Sequence, residues 1–179
     1  MWIAGEKKGV AAPVGPGVQE SNLACAVAVA LEVGLTVETV LARLGSLREV
    51  PNRLVSVTSE GGVAVIDDTF NSNPAGARAA LNVLSRSGTT GRRVVVTPGM
   101  VELGRRQGSE NREFAAQAAR VATDLLVVGR TNRRALLAGA RSIRPIAMPT
   151  RDDAVNWVKS TLVPGDAVLY ENDLPDHYP

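Results

Sequence analysis

The chain has 179 residues, of which 45% are hydrophobic, 21% are charged and 3% are aromatic, and its formal net charge is +2. These values suit one folded domain with a buried core and a small appendage, and they exclude a wholly disordered chain. They also argue against a nucleic-acid partner, because that function needs a basic stripe or stacking aromatic side chains.

The first third of the chain predicts a pair of helices after an irregular start. Residues 1–17 are rich in Gly and Pro and have no period, which indicates an extended connection or a truncated end. Helices are predicted over 20–33, ended by Gly34, and over 37–44, between the N-cap Thr36 and Gly45. Because two short helices cannot bury a core alone, this pair needs another body to pack against.

From Arg53 onward, apolar β-rich runs alternate with amphipathic helices. A β-hairpin is predicted at 54–58 and 63–66, and Thr150 with Asp153 has the spacing of a capping box. The remaining predicted strands cover 94–97, 125–128, 145–148 and 167–170, and the remaining helices cover 74–84, 110–121, 132–138 and 152–162. Strands of nearly continuous Val, Ile and Leu between such helices predict an α/β fold, a Rossmann-like, doubly wound and mostly parallel sheet with helices on both faces.

Ligands of such sheets bind outside the carboxyl ends of the strands, and the loop over 67–74 follows one of these ends. Asn73 is a good N-cap and Pro74 suits the first helical position, so part of this loop has a structural explanation. The adjacent Asp67 and Asp68 do not, because two carboxylates are costly to bury without partners. They suit ribose hydroxyls or a cation.

Two further segments follow strands. The loop over 97–104 contains Gly99 and Gly104, which allow close approach to a ligand but also suit a series of turns. The polar, acidic tail over 170–179 is able to reach the same edge of the sheet, or it is a solvated terminus. His177 is the only histidine and we expect it to be an exposed bystander, so the chain holds no histidine-dependent triad. A Gly-rich phosphate loop and a dinucleotide fingerprint are both missing.

Cysteine content and apolar segments bear on the compartment. The single Cys25 excludes an intrachain disulfide, and no signal-peptide pattern opens the chain, so we expect a cytoplasmic protein and a buried, inert thiol. The apolar run over 23–35 is interrupted by Glu32 and is shorter than the roughly 20 residues of a membrane span. We therefore expect no association with a membrane.

Three motifs in order carry a family resemblance: Arg53-Leu54, then Asp67-Asp68-Thr69-Phe70-Asn71-Ser72-Asn73-Pro74, then Gly99-Met100-Val101-Glu102-Leu103-Gly104. They resemble the C-terminal domain of the Mur ligases. The nearest branch adds D-alanyl-D-alanine to UDP-N-acetylmuramoyl tripeptide, with the usual patterns Asp-Asp-Ser-Tyr-Asn-Ala-Asn-Pro and Gly-Asp-Met-x-Glu-Leu-Gly. Upstream, the segment over 17–23 resembles the end of that family's central domain, with Gln19 in place of the usual histidine.

The resemblance implies two domain pieces and an activity. Residues 1–50 correspond to the tail of a central ATP-binding domain, and residues 51–179 to the C-terminal domain. A full-length ligase of this kind, active in peptidoglycan precursor synthesis, uses ATP and Mg²⁺, bound mainly by the central domain, to convert a carboxylate into an acyl phosphate that an amine attacks. The partners implied are small-molecule substrates, a UDP-muramoyl peptide and an amino acid or dipeptide, and the rest of the ligase chain. The fragment alone is expected to be inactive.

The resemblance in these motifs also implies roles for individual residues. Arg53, Asp68, Asn71 and Asn73 would hold the nucleotide, with Asp68 on the ribose hydroxyls, although Asn73 also serves as a helix cap. The substrate-binding candidates are Glu102, Glu171 and Asp173, and no catalytic residue or metal ligand is assigned.

Two departures from the family pattern and several alternatives remain open. In the second motif, Pro98 precedes Gly99 and the usual aspartate after the glycine is missing, with Met100 following directly. The family often ends its last strand in a Lys-Gly-Ser-like turn, where this chain has Glu171-Asn172-Asp173. Such an acidic edge would favour an amine with an extra positive charge. The alternatives are a folylpolyglutamate or poly-γ-glutamate ligase domain, and a non-catalytic nucleotide- or partner-binding module. A nicotinamide-dependent oxidoreductase is disfavoured by the missing Gly-rich fingerprint.

Overall fold

The computed structural model describes residues 20–47, 53–87, 90–174 and 178. The chain divides into two compact units, Met1–Val50 and Pro51–Pro179. The predicted irregular start over 1–17, the position of Gln19 and most of the tail after Leu174, with His177, lie outside the described residues.

The described part of the first unit is a helical pair, α1 (Glu20–Glu32) and α2 (Val37–Leu44). The predicted end at Gly34 is confirmed: its φ is +94°, and the Leu35 N–H donates to the Ala30 carbonyl at 3.0 Å. The Thr36 side chain caps α2, also as predicted. The small apolar cluster of this pair contains the buried side chains of Val27, Val40 and Leu44.

Cys25 in α1 is exposed, so the expectation of a buried thiol is wrong. The apolar run around it is spread over several faces of the helix, and the cluster with α2 covers only one of them. Among the described residues, no helix has the length and apolar character that crossing a bilayer requires.

The described part of the second unit contains a sheet of six strands in the order β1-β2-β6-β3-β4-β5. β1 pairs antiparallel with β2 as the predicted hairpin, and all other neighbours are parallel. The strands are β1 (Val55–Thr58), β2 (Ala64–Asp68), β3 (Arg93–Thr97), β4 (Asp124–Val128), β5 (Ile146–Met148) and β6 (Ala167–Glu171). The predicted Rossmann-like, mostly parallel α/β fold is confirmed.

Both faces of the sheet are covered, because successive strand side chains point to opposite faces. The helices are α3 (Pro74–Ser85), α4 (Gln107–Val121), α5 (Arg133–Gly139) and α6 (Arg151–Thr161). Side chains of α3, α4 and α5 share a core with Val95 and Leu169. Side chains of α6 share the opposite core with Val94 and Val168.

The starts of α3 and α6 follow local capping rules, whereas the start of α4 does not. The Asn73 side chain accepts hydrogen bonds at the start of α3, and Thr150 and Asp153 form the predicted capping box of α6. Helix α4 begins at Gln107, three residues before the predicted start at 110, and follows directly on a 3₁₀ turn over Gly104–Arg106. No side chain caps this start, so no capping residue was present to predict it.

The strand order determines where the loops meet. The connection from β2 through α3 to β3 passes β6, and β6 is inserted between them at the end of the chain. The carboxyl ends of β2, β6 and β3 are therefore neighbours, and the polar loops that follow them lie side by side.

Candidate functional site

Three segments meet at this edge of the sheet: the β2–α3 loop (69–73), the β3–α4 loop (98–103) and the segment after β6 (172–174). We call the region they form, with the last residues of the three strands, the strand-end site. Asn172 joins its parts, since its N–H donates to the Asp68 carbonyl at 3.0 Å and its side-chain amide donates to the Gly99 carbonyl at 2.7 Å. The segment after β6 thus reaches the same edge as the two motif loops.

Glu171 lies at the centre of the strand-end site and is fully buried. Its two carboxylate oxygens accept hydrogen bonds from the hydroxyl of Ser72 in the β2–α3 loop and from the hydroxyl of Thr97 at the end of β3. The Thr97 oxygen in turn accepts the Gly99 N–H at 2.8 Å. Burial raises the pKa of Glu171 to about 7, against the two hydroxyl hydrogen bonds that lower it, and the nearby Asp68 carboxylate adds to the rise.

The adjacent aspartates of β2 have separate surroundings because they point to opposite faces of the strand. The carboxylate of Asp67 accepts the N–H of Thr69 at 3.1 Å and its hydroxyl at 2.7 Å. The carboxylate of Asp68 accepts the Leu54 N–H at 3.1 Å, and burial raises its pKa. Each carboxylate therefore has a partner, which offsets part of the cost of placing two acids side by side.

A cleft of about 700 Å³ opens beside β2 and β6, on the face covered by α6. Across it, the Arg151 guanidinium pairs with the Asp173 carboxylate at 2.7 Å. The lining side chains are Val65, Asp67, Thr69, Phe70, Arg151, Val155, Tyr170, Asp173 and Leu174. Of the acids predicted after β6, Glu171 is buried away from the cleft and Asp173 is paired with Arg151, while Asp67 also lines the cleft.

The predicted nucleotide-binding residues lie around the β2–α3 loop. The guanidinium of Arg53 stands 4.4 Å from the centre of the Phe70 ring, and that ring is 58% exposed. Asn71 is exposed in the same loop. The side-chain oxygen of Asn73 accepts the N–H groups of Ala75 and Gly76, both at 3.0 Å, so this oxygen is committed to capping α3.

Two buried amides hold the β3–α4 loop, and the sequence did not single them out. Asn111 of α4 accepts the Met100 N–H and donates to the Met100 carbonyl, both at 2.8 Å. Asn132 donates to the Pro98 carbonyl at 3.0 Å. The one available signal was the position of Asn111 on the apolar side of α4, where a polar residue needs a partner.

Backbone strain concentrates around the strand-end site. In the described part of the chain, the non-glycine residues with positive φ are Leu54 (53°), Glu102 (63°) and Asn172 (60°). Leu54 holds Asp68, Asn172 joins two strand ends, and Glu102 is an exposed residue of the β3–α4 loop. Such conformations persist only where the surroundings enforce them, and they cluster at functional sites.

The fold and the strand-end site define a Rossmann-like α/β domain with its candidate ligand site at the carboxyl ends of the strands, and comparison with known proteins gives the family. Residues 52–170 match the family model described as Mur ligase, glutamate ligase domain. The chain therefore belongs to the Mur ligase family, and the resemblance drawn from the three motifs is confirmed.

Relatives and solved structures agree with this assignment. The chain is 34% identical over 174 residues to the UDP-N-acetylmuramoyl-tripeptide--D-alanyl-D-alanine ligase of Mycobacterium tuberculosis, covering 84% of this chain and 34% of that protein. It superposes on the MurF crystal structure from Acinetobacter baumannii with a TM-score of 0.64 and 27% identity, covering 84% of this chain and 34% of the other. MurF from Thermotoga maritima in complex with ADP shares the fold, with a TM-score of 0.61, 24% identity, and coverage of 85% and 34%. The chain spans about a third of the length of the curated relatives it matches.

Proposed function

We propose that this chain is the C-terminal domain of an ATP-dependent ligase of peptidoglycan precursor synthesis. In this reaction the γ-phosphate of ATP passes to a carboxylate of a UDP-N-acetylmuramoyl peptide, and an amine attacks the acyl phosphate to form an amide with release of phosphate. The observation that carries the proposal is the meeting of the two motif loops and the segment after β6 at one sheet edge, in a chain of this family. The names of the relatives support the D-alanyl-D-alanine branch.

In this proposal the chain contributes closure and positioning. Residues 1–50 form the tail of the central ATP-binding domain, and residues 51–179 form the domain that closes over the nucleotide. The small apolar cluster of α1 and α2 supports the first assignment, because it is too small to stabilise a domain. The rest of the ligase chain is thus the main partner.

ATP and Mg²⁺ would be bound mainly by the central domain. The ADP complex of the Thermotoga maritima protein supports a nucleotide in this family. Within the described ranges of this chain, no group of three or more His, Cys, Asp or Glu side chains is placed to hold a metal ion.

The nucleotide would contact the β2–α3 loop. Arg53 and the exposed ring of Phe70 together offer a cation and an aromatic face, which suit a purine base and its phosphates. Asn71 is exposed beside them, and Asp68 lies at the strand end with its carboxylate held by Leu54. The capping bonds of Asn73 leave it a smaller part in this site than the motif alone implies.

The amine would enter at the cleft beside α6. Arg151 supplies one positive charge, and Asp67 and Asp173 supply carboxylates. This combination fits a zwitterion, whose carboxylate pairs with Arg151 and whose ammonium faces an aspartate, better than an amine with an extra positive charge. Glu102, exposed in the strained β3–α4 loop, would contact the muramoyl peptide or the amine.

The test uses the complete gene product that encodes this chain. Release of ADP is measured with UDP-N-acetylmuramoyl tripeptide and one amine at a time: D-alanyl-D-alanine, D-alanine, L-lysine or L-glutamate. We expect ADP and amide only when both substrates are present, and the highest kcat/KM with the dipeptide. Release of ADP with L-glutamate and a folate or poly-γ-glutamate carboxylate, and none with the muramoyl tripeptide, would transfer the domain to the folylpolyglutamate or poly-γ-glutamate type.

A calorimetric titration with ATP separates the ligase from a stand-alone binding module. We expect the 179-residue chain to bind ATP weakly and the complete gene product to bind it tightly. Tight binding by the chain alone, together with no amide formation by the complete product, would overturn the proposed function.

A further inference from the structure

Glu171 has no exposed surface, so a ligand in the cleft has no direct access to its carboxylate. Its contacts are instead to two other parts of the strand-end site, Ser72 and Thr97. We propose that Glu171 is a positioning residue that aligns the β2–α3 loop with the β3–α4 loop and thereby places the amine relative to the acyl phosphate. This role rests on the proposed ligase function.

The first step of the argument is that one carboxylate holds both loops. Ser72 lies between Asn71 and Asn73 in the β2–α3 loop, and its side chain is buried against Glu171. Thr97 is the last residue of β3 and is also buried, and its hydroxyl oxygen accepts the Gly99 N–H. A displacement of the Glu171 carboxylate would therefore move the last part of the β2–α3 loop and the start of the β3–α4 loop.

The second step is that the next residue repeats the same connection. Asn172 binds the Asp68 carbonyl through its N–H and the Gly99 carbonyl through its side chain, and it adopts a φ of +60° to do so. Glu171 at the end of β6 thus connects the β2–α3 loop to the end of β3 through two acceptors, and the next residue, Asn172, connects the end of β2 to the β3–α4 loop through two donors. A single packing contact would not need this paired arrangement.

The third step concerns the free-energy cost of burying the Glu171 carboxylate. Taking a carboxylate out of water is unfavourable, and an apolar side chain of similar size would pack in the same space without that penalty. The Glu171 carboxylate is matched to its site because each oxygen faces a hydroxyl donor. Ser72, Thr97 and Glu171 therefore act as a matched set.

The first test compares Glu171→Leu with Glu171→Gln in the complete gene product. Leucine removes both acceptors. Glutamine keeps an acceptor for Thr97, and its amide N–H is able to donate to Ser72, whose hydroxyl reverses. At equal folded fraction, we expect the leucine variant to lose about ten- to a hundredfold in kcat with the tripeptide and D-alanyl-D-alanine. The glutamine variant should stay within about threefold of wild type, and KM for ATP should change by less than about threefold in both.

Asp166→Asn is the matched control, because Asp166 is a buried carboxylate at the opposite end of the same strand. It is expected to lower stability while leaving kcat of the folded enzyme unchanged. Equal effects of Asp166→Asn and Glu171→Leu on kcat would mean that the buried acids act only through stability, and the positioning role would then be wrong.

A second pair of variants covers the case in which Glu171→Leu does not fold. Thr97→Val removes the hydroxyl and keeps the shape, whereas Thr97→Ser keeps the hydroxyl. We expect the valine variant to reproduce the loss in kcat and the serine variant to resemble wild type. Unchanged kcat in Thr97→Val overturns the positioning role alone. A wild-type protein that forms no amide overturns the proposed function, and the positioning role with it.

Discussion

Asp166 and Glu171 lie at opposite ends of β6, and both carboxylates are buried. Asp166 directly precedes the first residue of the strand, and Glu171 is its last residue. Asp166 accepts backbone N–H groups, from Arg92 at 2.7 Å and from Val163 at 3.0 Å. Glu171 instead accepts side-chain hydroxyls from the β2–α3 loop and from the end of β3. The acid at the amino end therefore fixes turns of the scaffold, and the acid at the carboxyl end connects the parts of the functional site.

The burial of Glu171 predicts a pH dependence of stability. Its pKa is about 7 in the folded chain against an ordinary value of 4.5, so the folded state binds the proton more tightly than the unfolded state. The favourable contribution is complete below about pH 4.5, declines as pH rises and is lost above about pH 7, a total of about 3 kcal/mol. The acid facing Glu171, Asp68, also has a raised pKa and contributes with the same sign.

The measurement is urea unfolding of the 179-residue chain and its Glu171→Gln variant at pH 5 and pH 7.5. We expect the free energy of unfolding to fall between these values in the wild type and to fall less in the variant. An identical change in both proteins would show that Glu171 does not titrate in this range.

The backbone and packing require glycine at position 99 in the β3–α4 loop but not at position 108 in α4. Gly99 has a φ of +80°, and a Cβ there would collide with the side chains of Asn111 and Asn132. We expect Gly99→Ala to reduce the free energy of unfolding by about 1–3 kcal/mol, because both the backbone and the buried amides must shift. Amide hydrogen exchange should also become faster in this loop.

Gly108 is the matched control, because a Cβ there meets no atom within 4 Å and the residue lies in the first turn of α4. Gly108→Ala should leave stability unchanged or raise it by up to about 1 kcal/mol through the better helix propensity of alanine. If both alanine variants unfold at the same urea concentration as the wild type, the packing argument for Gly99 is wrong.

Arg53 and Phe70 predict a shared effect on nucleotide affinity. Phe70→Ala removes the ring over which the guanidinium stands, and we expect it to weaken binding of a non-hydrolysable ATP analogue to the complete gene product by about three- to tenfold. Phe70→Tyr, which restores the residue usual in the family motif, should bind like the wild type. Calorimetric titration measures both constants, and unchanged affinity in Phe70→Ala would remove this ring from the nucleotide site.

Local rules in the sequence predicted much of the scaffold, and the strand-end site shows where they stop. Asn73 with Pro74, and Thr150 with Asp153, act within a few residues of the chain, so the starts of α3 and α6 could be read directly. The contact between Ser72 and Glu171 joins positions 99 residues apart and exists only because β6 is inserted between β2 and β3. The motif marked the segment with Ser72, and Glu171 was predicted to bind substrate, but the sequence could not tell a buried carboxylate from one that faces a substrate.

The sequence was also a poor guide to the net charge around the segment after β6. Counting acids after β6 predicted a site for an amine with an extra positive charge, whereas α6 brings Arg151 within 2.7 Å of Asp173. The sequence did not connect these two residues, because Arg151 belongs to the start of a helix and to none of the family motifs. Only the packing of α6 against the sheet places it in the cleft.

The Arg151–Asp173 pair predicts which part of the amine each residue recognises. If Arg151 binds the carboxylate of a zwitterionic amine, Arg151→Gln should raise KM for D-alanyl-D-alanine by about tenfold and should affect the dipeptide amide, which lacks that carboxylate, much less. Asp173→Asn should raise KM for both amines, because both retain the ammonium. Steady-state kinetics of the complete gene product measures these values, with Lys159→Gln on the exposed side of α6 as the control. If Arg151→Gln raises KM equally for the dipeptide and its amide, Arg151 acts only by holding Asp173 in place. An unchanged KM in Asp173→Asn would place the amine outside this cleft.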